Sequence, residues 1–96
     1  MEYGLYNLTA SATLIPKFSS RGVINSISIC NASASNTTTI SLYLDDDTNS
    51  THFVKNLVMP VGTTLILTEG LSFDNDSLAL KITIAGTSPD VQVIIK

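Results

Sequence analysis

The side chains of this sequence that could carry out chemistry are few. His52 is the only histidine and Cys30 the only cysteine, so the chain cannot form a multi-histidine metal centre or an internal disulfide. It contains no glycine-rich phosphate loop, no G-x-S-x-G turn and no H-E-x-x-H motif. We therefore expect no enzymatic activity, no cofactor and no resident metal. His52 is predicted to be a surface residue at a strand edge, and Cys30 a small packed thiol.

The densest cluster of charge is the acidic run Asp45–Asp47, which begins a D-x-D-x-N spacing that resembles the start of an EF-hand loop. Ser50 stands where the EF-hand needs a glycine, and Asn56 stands where it needs a bidentate glutamate. An EF-hand is therefore excluded. An irregular Ca²⁺ site shared with Asp74 or Asp76 remains an alternative. We favour a solvated hairpin turn, because Asp and Asn stabilise turns through their own side chains.

Length and charge restrict the possible partners. The 96 residues are enough for one domain, and only 14 % of them are charged, against roughly 25 % in an average soluble domain. The net charge is −3, and the few basic residues are scattered, which argues against nucleic acid as a partner. No apolar run approaches the roughly 20 residues of a spanning helix, so no membrane partner is expected. No secretory signal is apparent at the start of the sequence.

The elements that must position these residues are strands, because apolar and polar residues alternate with a period of two and β-branched residues are abundant. The clearest strand is 38–44, where Ile40, Leu42 and Leu44 share one face. Turn signals separate seven to eight such strands. The pattern predicts an all-β fold: a single small antiparallel β-sandwich of jelly-roll or immunoglobulin type over residues 8–96, preceded by an N-terminal arm at 1–7.

Several details of this sandwich can be predicted as well. A first strand covers 8–14, and slipped alternation indicates a bulge near Lys55 and Asn56. The segment Gly86–Pro89 is expected to join the last two strands as a hairpin. The predicted core consists of the residues on the inward faces: Leu14, Ile27, Ile29, Ile40, Leu42, Leu44, Leu57, Leu65, Leu67, Leu80, Ile82, Ile84, Val91 and Val93.

Some apolar residues fall where the alternation predicts an outward orientation or precede the first regular strand. Ile15 is one of them, and scattered exposed apolar residues are normal on any protein. The alternative is that they form contacts between subunits, with the N-terminal arm docking on a neighbour. The candidates for subunit contacts are Tyr3, Leu5, Tyr6, Ile24, Ile66 and Ile94.

Most of the chain after the arm resembles small β-sandwich structural proteins of tailed bacteriophages. The resemblance is carried by the segment 22–44, GVINSISICNASASNTTTISLYL, in which a strand ending in Asn31 leads through a Ser/Thr/Ala loop to the S-L-Y-L strand Ser41–Leu44. After a polar hairpin come VMPVGTTLIL, with the P-x-G turn Pro60–Gly62, and the strand LALKITIAG. These are packing and turn motifs, so no catalytic residue is implied.

The resemblance implies a virion structural protein that is assembled in the host cytoplasm. Its leading form is a capsid decoration (cement) protein, a homotrimer that binds the major capsid protein and stabilises the head. A neck, tail or fibre component of the virion is an alternative. A carbohydrate-binding or adhesion module is another, although the absence of Trp and the dispersed Tyr and Phe residues weigh against a sugar-stacking platform.

Overall fold

The alternating residues form ten strands in a computed structural model of the protein, which describes residues 4–18, 23–68 and 71–96, except for the side chain of Leu71. Within these ranges the chain contains no helix, and the predicted all-β class is confirmed. The strands are β1 (Gly4–Leu8), β2 (Ala12–Ile15), β3 (Val23–Ile24), β4 (Ile27–Asn31), β5 (Thr38–Asp45), β6 (Ser50–Met59), β7 (Thr64–Leu67), β8 (Leu71–Ser72), β9 (Ala79–Gly86) and β10 (Val91–Ile95).

Two antiparallel four-stranded sheets pack against each other as a sandwich. We call the sheet with strand order β1-β10-β4-β7 the first sheet and the sheet with order β2-β9-β5-β6 the second sheet. The short strands β3 and β8 pair separately. The predicted β-sandwich is confirmed.

The pairing follows one rule along the chain: strands equally distant from the two ends of the series are partners. Thus β1 pairs with β10, β2 with β9, β3 with β8, β4 with β7, and β5 with β6. The chain is therefore one long antiparallel hairpin, rolled so that β10 also pairs with β4 and β9 with β5. This is the strand order of a jelly roll, the first of the two sandwich types predicted.

The hairpin expected between the last two strands is wrong. β9 lies in the second sheet and β10 in the first, so the connection around Gly86–Pro89 crosses from one sheet to the other. The first predicted strand is divided for the same reason. β1 ends at Leu8 in the first sheet, and β2 begins at Ala12 in the second. Alternation continues across the first crossing, and the second lies in a short loop that would look the same between paired strands, which is why local pattern does not reveal either of them.

The core lies between the two sheets, and the predicted core residues all contribute to it. Nine of them are buried, including Ile29, Ile40 and Leu42, each with no exposed surface. The other five are half-buried and pack against the same cluster: Leu44, Leu57, Leu65, Leu67 and Ile84. Residues that the prediction left out of the core list, namely Met59, Ala79 and Ile95, are also buried.

Ile15 and Ile24 were expected to face outward, and both expectations are wrong. A register shift in β2 between Thr13 and Ile15 turns Ile15 inward beside Leu14, leaving it 2 % exposed. Ile24 is 1 % exposed because the chain breaks between β3 and β4, which places both Ile24 and Ile27 in the core. A subunit contact through Ile24 is therefore excluded by its burial.

The N-terminal arm is corrected in part. Residues 4–8 are not outside the sandwich but form β1, an edge strand of the first sheet that pairs with β10 along its whole length. Tyr6, a predicted contact residue, is half-buried against the core, and its hydroxyl donates a hydrogen bond to the carbonyl of Leu14 at 2.8 Å. Tyr6 thus ties β1 to the second sheet. Tyr3 lies outside the described residues.

The predicted bulge is confirmed. In the β5-β6 pair, Ile40 lies opposite Leu57 and Leu42 opposite Val54, so Lys55 and Asn56 together face one residue of β5. Asn56 has a positive φ of 53°, and its amide donates to the hydroxyl of Ser41 at 2.9 Å. A second register shift follows at the position of Phe53. The edge strand β6 is therefore irregular over its middle.

Candidate interaction surface

Three of the predicted contact residues lie together on the outer face of the first sheet. Along one line across its four strands, Leu5 pairs with Ile94, Ile94 with Ser28, and Ser28 with Ile66. Leu5 is 68 % exposed, Ile66 60 % and Ile94 38 %. We call these four residues the apolar row. With neighbouring strands about 4.8 Å apart, the row is about 14 Å long.

The surroundings of the apolar row are polar but almost uncharged. The next line of pairs on the same face consists of Asn7, Gln92, Cys30 and Thr64. On the other side lies Lys96, whose backbone exchanges hydrogen bonds with that of Ser26. A partner docking on this face would thus desolvate little charge, which removes the main penalty of burial.

The outer face of the second sheet has a different chemistry. Its corresponding line runs from Thr13 through Lys81 and Tyr43 to His52. The rings of Tyr43 and His52 lie 5.0 Å apart at a tilt of 35°. This face carries a cation, an imidazole ring and hydroxyls where the first sheet carries aliphatic side chains. The two faces are therefore not equivalent as docking surfaces.

A shallow uncharged groove of about 220 Å³ lies beside β7, between the end of β6 and the start of β7. Leu57 and Leu65 line it and are only half-buried, although they belong to the core cluster. Val58, at 58 % exposure, and Pro60 form part of its rim. The apolar surface of the first sheet thus continues around its β7 edge toward the core.

Asn31 fixes the turn that delivers β7 to the edge of the first sheet. Its side chain is fully buried; the amide donates to the carbonyls of Met59 at 2.8 Å and Asn36 at 3.0 Å, and Oδ1 accepts from the amide of Ser33 at 3.1 Å. Its backbone carbonyl accepts from the amide of Gly62, which has the positive φ of 77° that glycine adopts without strain. Sequence reasoning noted Asn31 and the P-x-G turn separately but missed that they are in contact.

The acidic run forms the predicted hairpin turn. The amides of Thr48 and Asn49 both donate to Oδ1 of Asp46, and these hydrogen bonds lower the pKa of Asp46. Asp45 forms an ion pair with Lys81, at 2.7 Å. The hydrogen bond between these two side chains is the largest cause of the lowered pKa of Asp45 and of the raised pKa of Lys81.

The remaining polar groups that the sequence singled out are dispersed. Lys17 pairs with Asp47, while Asp74 accepts hydrogen bonds from Asp76 and Ser77 within its own turn. Among residues 4–18, 23–68 and 71–96, no three His, Cys, Asp or Glu side chains come together in a way that could hold a metal ion. In the same ranges, we find no helical segment with the length and apolar character of a membrane span.

His52 and Cys30 take the positions predicted for them. His52 is exposed on β6, the edge strand of the second sheet. Cys30 is a free, half-buried thiol on the face of β4 opposite Ile27 and Ile29. Exposed apolar residues that the prediction missed are Phe18, Val23, Phe53, Val58 and Val61.

No protein-family model, no curated protein and no solved structure matches this chain, so the interpretation of its surface rests on the residues themselves.

Proposed function

We propose that the protein is a non-enzymatic structural subunit of a tailed-bacteriophage virion, and specifically a capsid decoration protein that binds the major capsid protein as a homotrimer. The observation that carries the structural role is the apolar row, exposed on an almost uncharged sheet face. The assignment to a virion is supported by the resemblance of the segment 22–44 and of the P-x-G turn to phage structural proteins. The decoration role, the major capsid protein as partner and the homotrimer rest on that same resemblance.

The energetics suit a repeated subunit. Burying the exposed parts of Leu5, Ile66 and Ile94 contributes about 2–5 kcal/mol per copy, since full burial of one such side chain contributes about 1.5–3 kcal/mol. A single contact of this size is weak once the entropy of association is subtracted. The stabilisation of a closed shell is nevertheless large in sum, because a ligand that binds only the assembled state stabilises it at every site that it occupies.

The location within the virion is tested by copy number. The protein is quantified by mass spectrometry in purified particles, relative to the major capsid protein. A decoration protein is expected in hundreds of copies per particle. A few copies per particle would replace the decoration role by a neck, tail or fibre role, and complete absence from particles would overturn the virion proposal.

The docking face is tested with particles that lack the protein. Ile66→Ser removes an exposed aliphatic side chain from the apolar row and is expected to reduce rebinding at least tenfold through the loss of about 1.5 kcal/mol. Val23→Ser is the matched control, since Val23 is 69 % exposed but lies on the small β3-β8 sheet. Equal rebinding by the two variants would contradict a contact through the first sheet.

A further inference from the structure

The edge strands of the two sheets differ in how well they are protected against pairing with another chain. The edges of the second sheet are β2 and β6. β6 contains two register shifts and Lys55, while β2 has a register shift of its own and is followed directly by Pro16. Bulges, lysines and prolines are the features that keep an edge strand from pairing with another chain. Both edges of the second sheet are therefore protected.

The edges of the first sheet lack these features. β1 (Gly4–Leu8) and β7 (Thr64–Leu67) contain no charged residue and no proline, and each pairs with its inner neighbour without a register shift. In the described part of the chain, each is the last strand on its side of the sheet. A regular, uncharged edge strand is a template for adding a further strand.

The two unprotected edges are complementary to each other. All neighbours in the first sheet are antiparallel, so β1 and β7 run in opposite directions and the β1 of another copy can continue the sheet beyond β7. We propose that β7 of each copy pairs with β1 of the next, and that three such contacts close the homotrimer proposed above into a ring. This inference rests on the proposed role as a repeated subunit and identifies the partner of the sheet edge as a second copy of this chain.

The register follows from the faces of the two strands. Placing Ile66 opposite Leu5 extends the apolar row into the next copy and also places Leu65 opposite Tyr6 and Thr64 opposite Asn7. In this register the outward residues meet outward residues and the half-buried Leu65 and Tyr6 meet on the core side. Paired residues of antiparallel strands share one face, so a shift by one residue would destroy this match.

Pairing between identical edges fits less well. Two β1 strands at full overlap would place Leu5 opposite Asn7, an apolar residue against a polar one. Two β7 strands at full overlap would place the outward Thr64 opposite the inward Leu67, which the alternation of faces forbids. The head-to-tail contact is the one in which the whole of β7 is matched, and such a contact closes into a ring when the rotation between copies divides the circle.

The contact is tested by disulfide trapping in a Cys30→Ser background. Within one copy, Leu5 and Ile66 are three strand spacings apart, about 14 Å, whereas a disulfide needs Cα atoms within about 7 Å. Any bond between substitutions at these positions must therefore join two copies. The variant with both L5C and I66C is expected to give dimer and trimer bands on a non-reducing gel, with trimer as the largest species.

The single substitutions distinguish the symmetry. L5C alone and I66C alone are expected to stay monomeric on the gel, and a mixture of the two is expected to give dimers. Cross-linking of L5C alone would overturn the head-to-tail contact in favour of paired β1 strands, and bands far beyond trimer would overturn the closed ring. The control is T13C with H52C, which occupies the same relative positions across the second sheet and is expected not to cross-link.

A measurement on the unmodified protein tests the same contact without relying on variants that could misfold. Amide hydrogen exchange is compared at low and high protein concentration. The amides of residues 4–8 and 64–67 are expected to gain protection at the higher concentration, and those of the edge strand 50–59 are not. Unchanged protection at both edges of the first sheet would refute the ring. A ring that forms from a protein absent from particles would refute only the virion proposal, whereas a particle-bound protein without the ring would refute this inference and leave the virion role standing.

Discussion

Replacing Asn31 should lower the free energy of unfolding by more than the loss of a single hydrogen bond would. The side chain is fully buried and makes three hydrogen bonds that hold the 32–37 loop and the end of β6. Asn31→Ala removes all three and takes away the donor to the Met59 carbonyl and the acceptor of the Ser33 amide, both on buried residues. Each unpaired buried group costs about 1–3 kcal/mol, whereas the half-buried Asn36 can be solvated. We expect a loss of about 3–4 kcal/mol, a large part of the 5–15 kcal/mol that stabilises an average domain.

The substitution Asn31→Asp tests the same network by charge. It keeps the size of the side chain and one acceptor, but it replaces the donating amide by an oxygen that faces two carbonyls. Burial and these carbonyls raise the pKa of the introduced carboxyl, so its protonated form is favoured in the folded state. The penalty of Asn31→Asp is therefore expected to be larger at pH 7 than at pH 4, where protonation restores a donor.

The assay is urea unfolding followed by far-ultraviolet circular dichroism, at one fixed protein concentration because association would shift the midpoint. Asn49→Ala is the control, since Asn49 is exposed in the hairpin turn and is expected to change the unfolding free energy by less than about 0.5 kcal/mol. A loss below about 1 kcal/mol for Asn31→Ala, or an equal penalty for Asn31→Asp at both pH values, would show that the network does not hold the turn.

The other predictions concern single interactions. Thr38→Val is expected to stabilise the protein by about 1 kcal/mol in urea unfolding, because the buried Thr38 hydroxyl has no hydrogen-bond partner among the described residues. A lower midpoint would reveal a bond to that hydroxyl. Tyr6→Phe, which loses the bond to Leu14, should cost about 1 kcal/mol and speed amide exchange in β1, and unchanged exchange would contradict the tie. Asp45 has a lowered pKa in the folded state, so its contribution to the free energy of unfolding is present above the unfolded pKa and is lost as the pH falls through the folded pKa. Asp45→Asn should therefore flatten the dependence of stability on pH below about pH 4. An unchanged slope would exclude this contribution of Asp45. Lys81 has a raised pKa, so its contribution is lost above about pH 10.5, a decline that Lys81→Met should reduce.

The alternation along the chain was sufficient to predict the strands and their faces, because a period of two is a local property. Ile40, Leu42 and Leu44 could be assigned to one face without knowing their partners, and the bulge at Lys55 and Asn56 appeared as a local slip in the same pattern. Assigning faces from odd and even residue positions fails where a strand is interrupted. The alternation predicts an outward Ile24 only if residues 23–30 form one continuous strand, and the break at residues 25 and 26 reverses its face.

Sheet membership could not be predicted, because it depends on pairings between distant parts of the chain. β1 has no local signal that would identify β10 as its partner, so residues 4–7 were interpreted as an arm. The same limit applies to the candidate site. Leu5, Ile66 and Ile94 could be named singly from their positions in the alternation, but the row that they form exists only because β10 and β4 lie between β1 and β7.

The jelly-roll order also links assembly to completion of folding. The proposed contact uses β1 and β7, and these strands reach opposite edges of one sheet only after β10 has paired with both β1 and β4. Such pairing between distant segments is slow to form, because the entropy of closing the long loops is lost before the contacts are gained. A partly folded chain that lacks the β1-β10 pair would present β7 but not a matching β1 edge. Only a complete domain would offer both edges at the spacing that a ring requires, so the order of the strands would itself exclude incomplete subunits from the assembly.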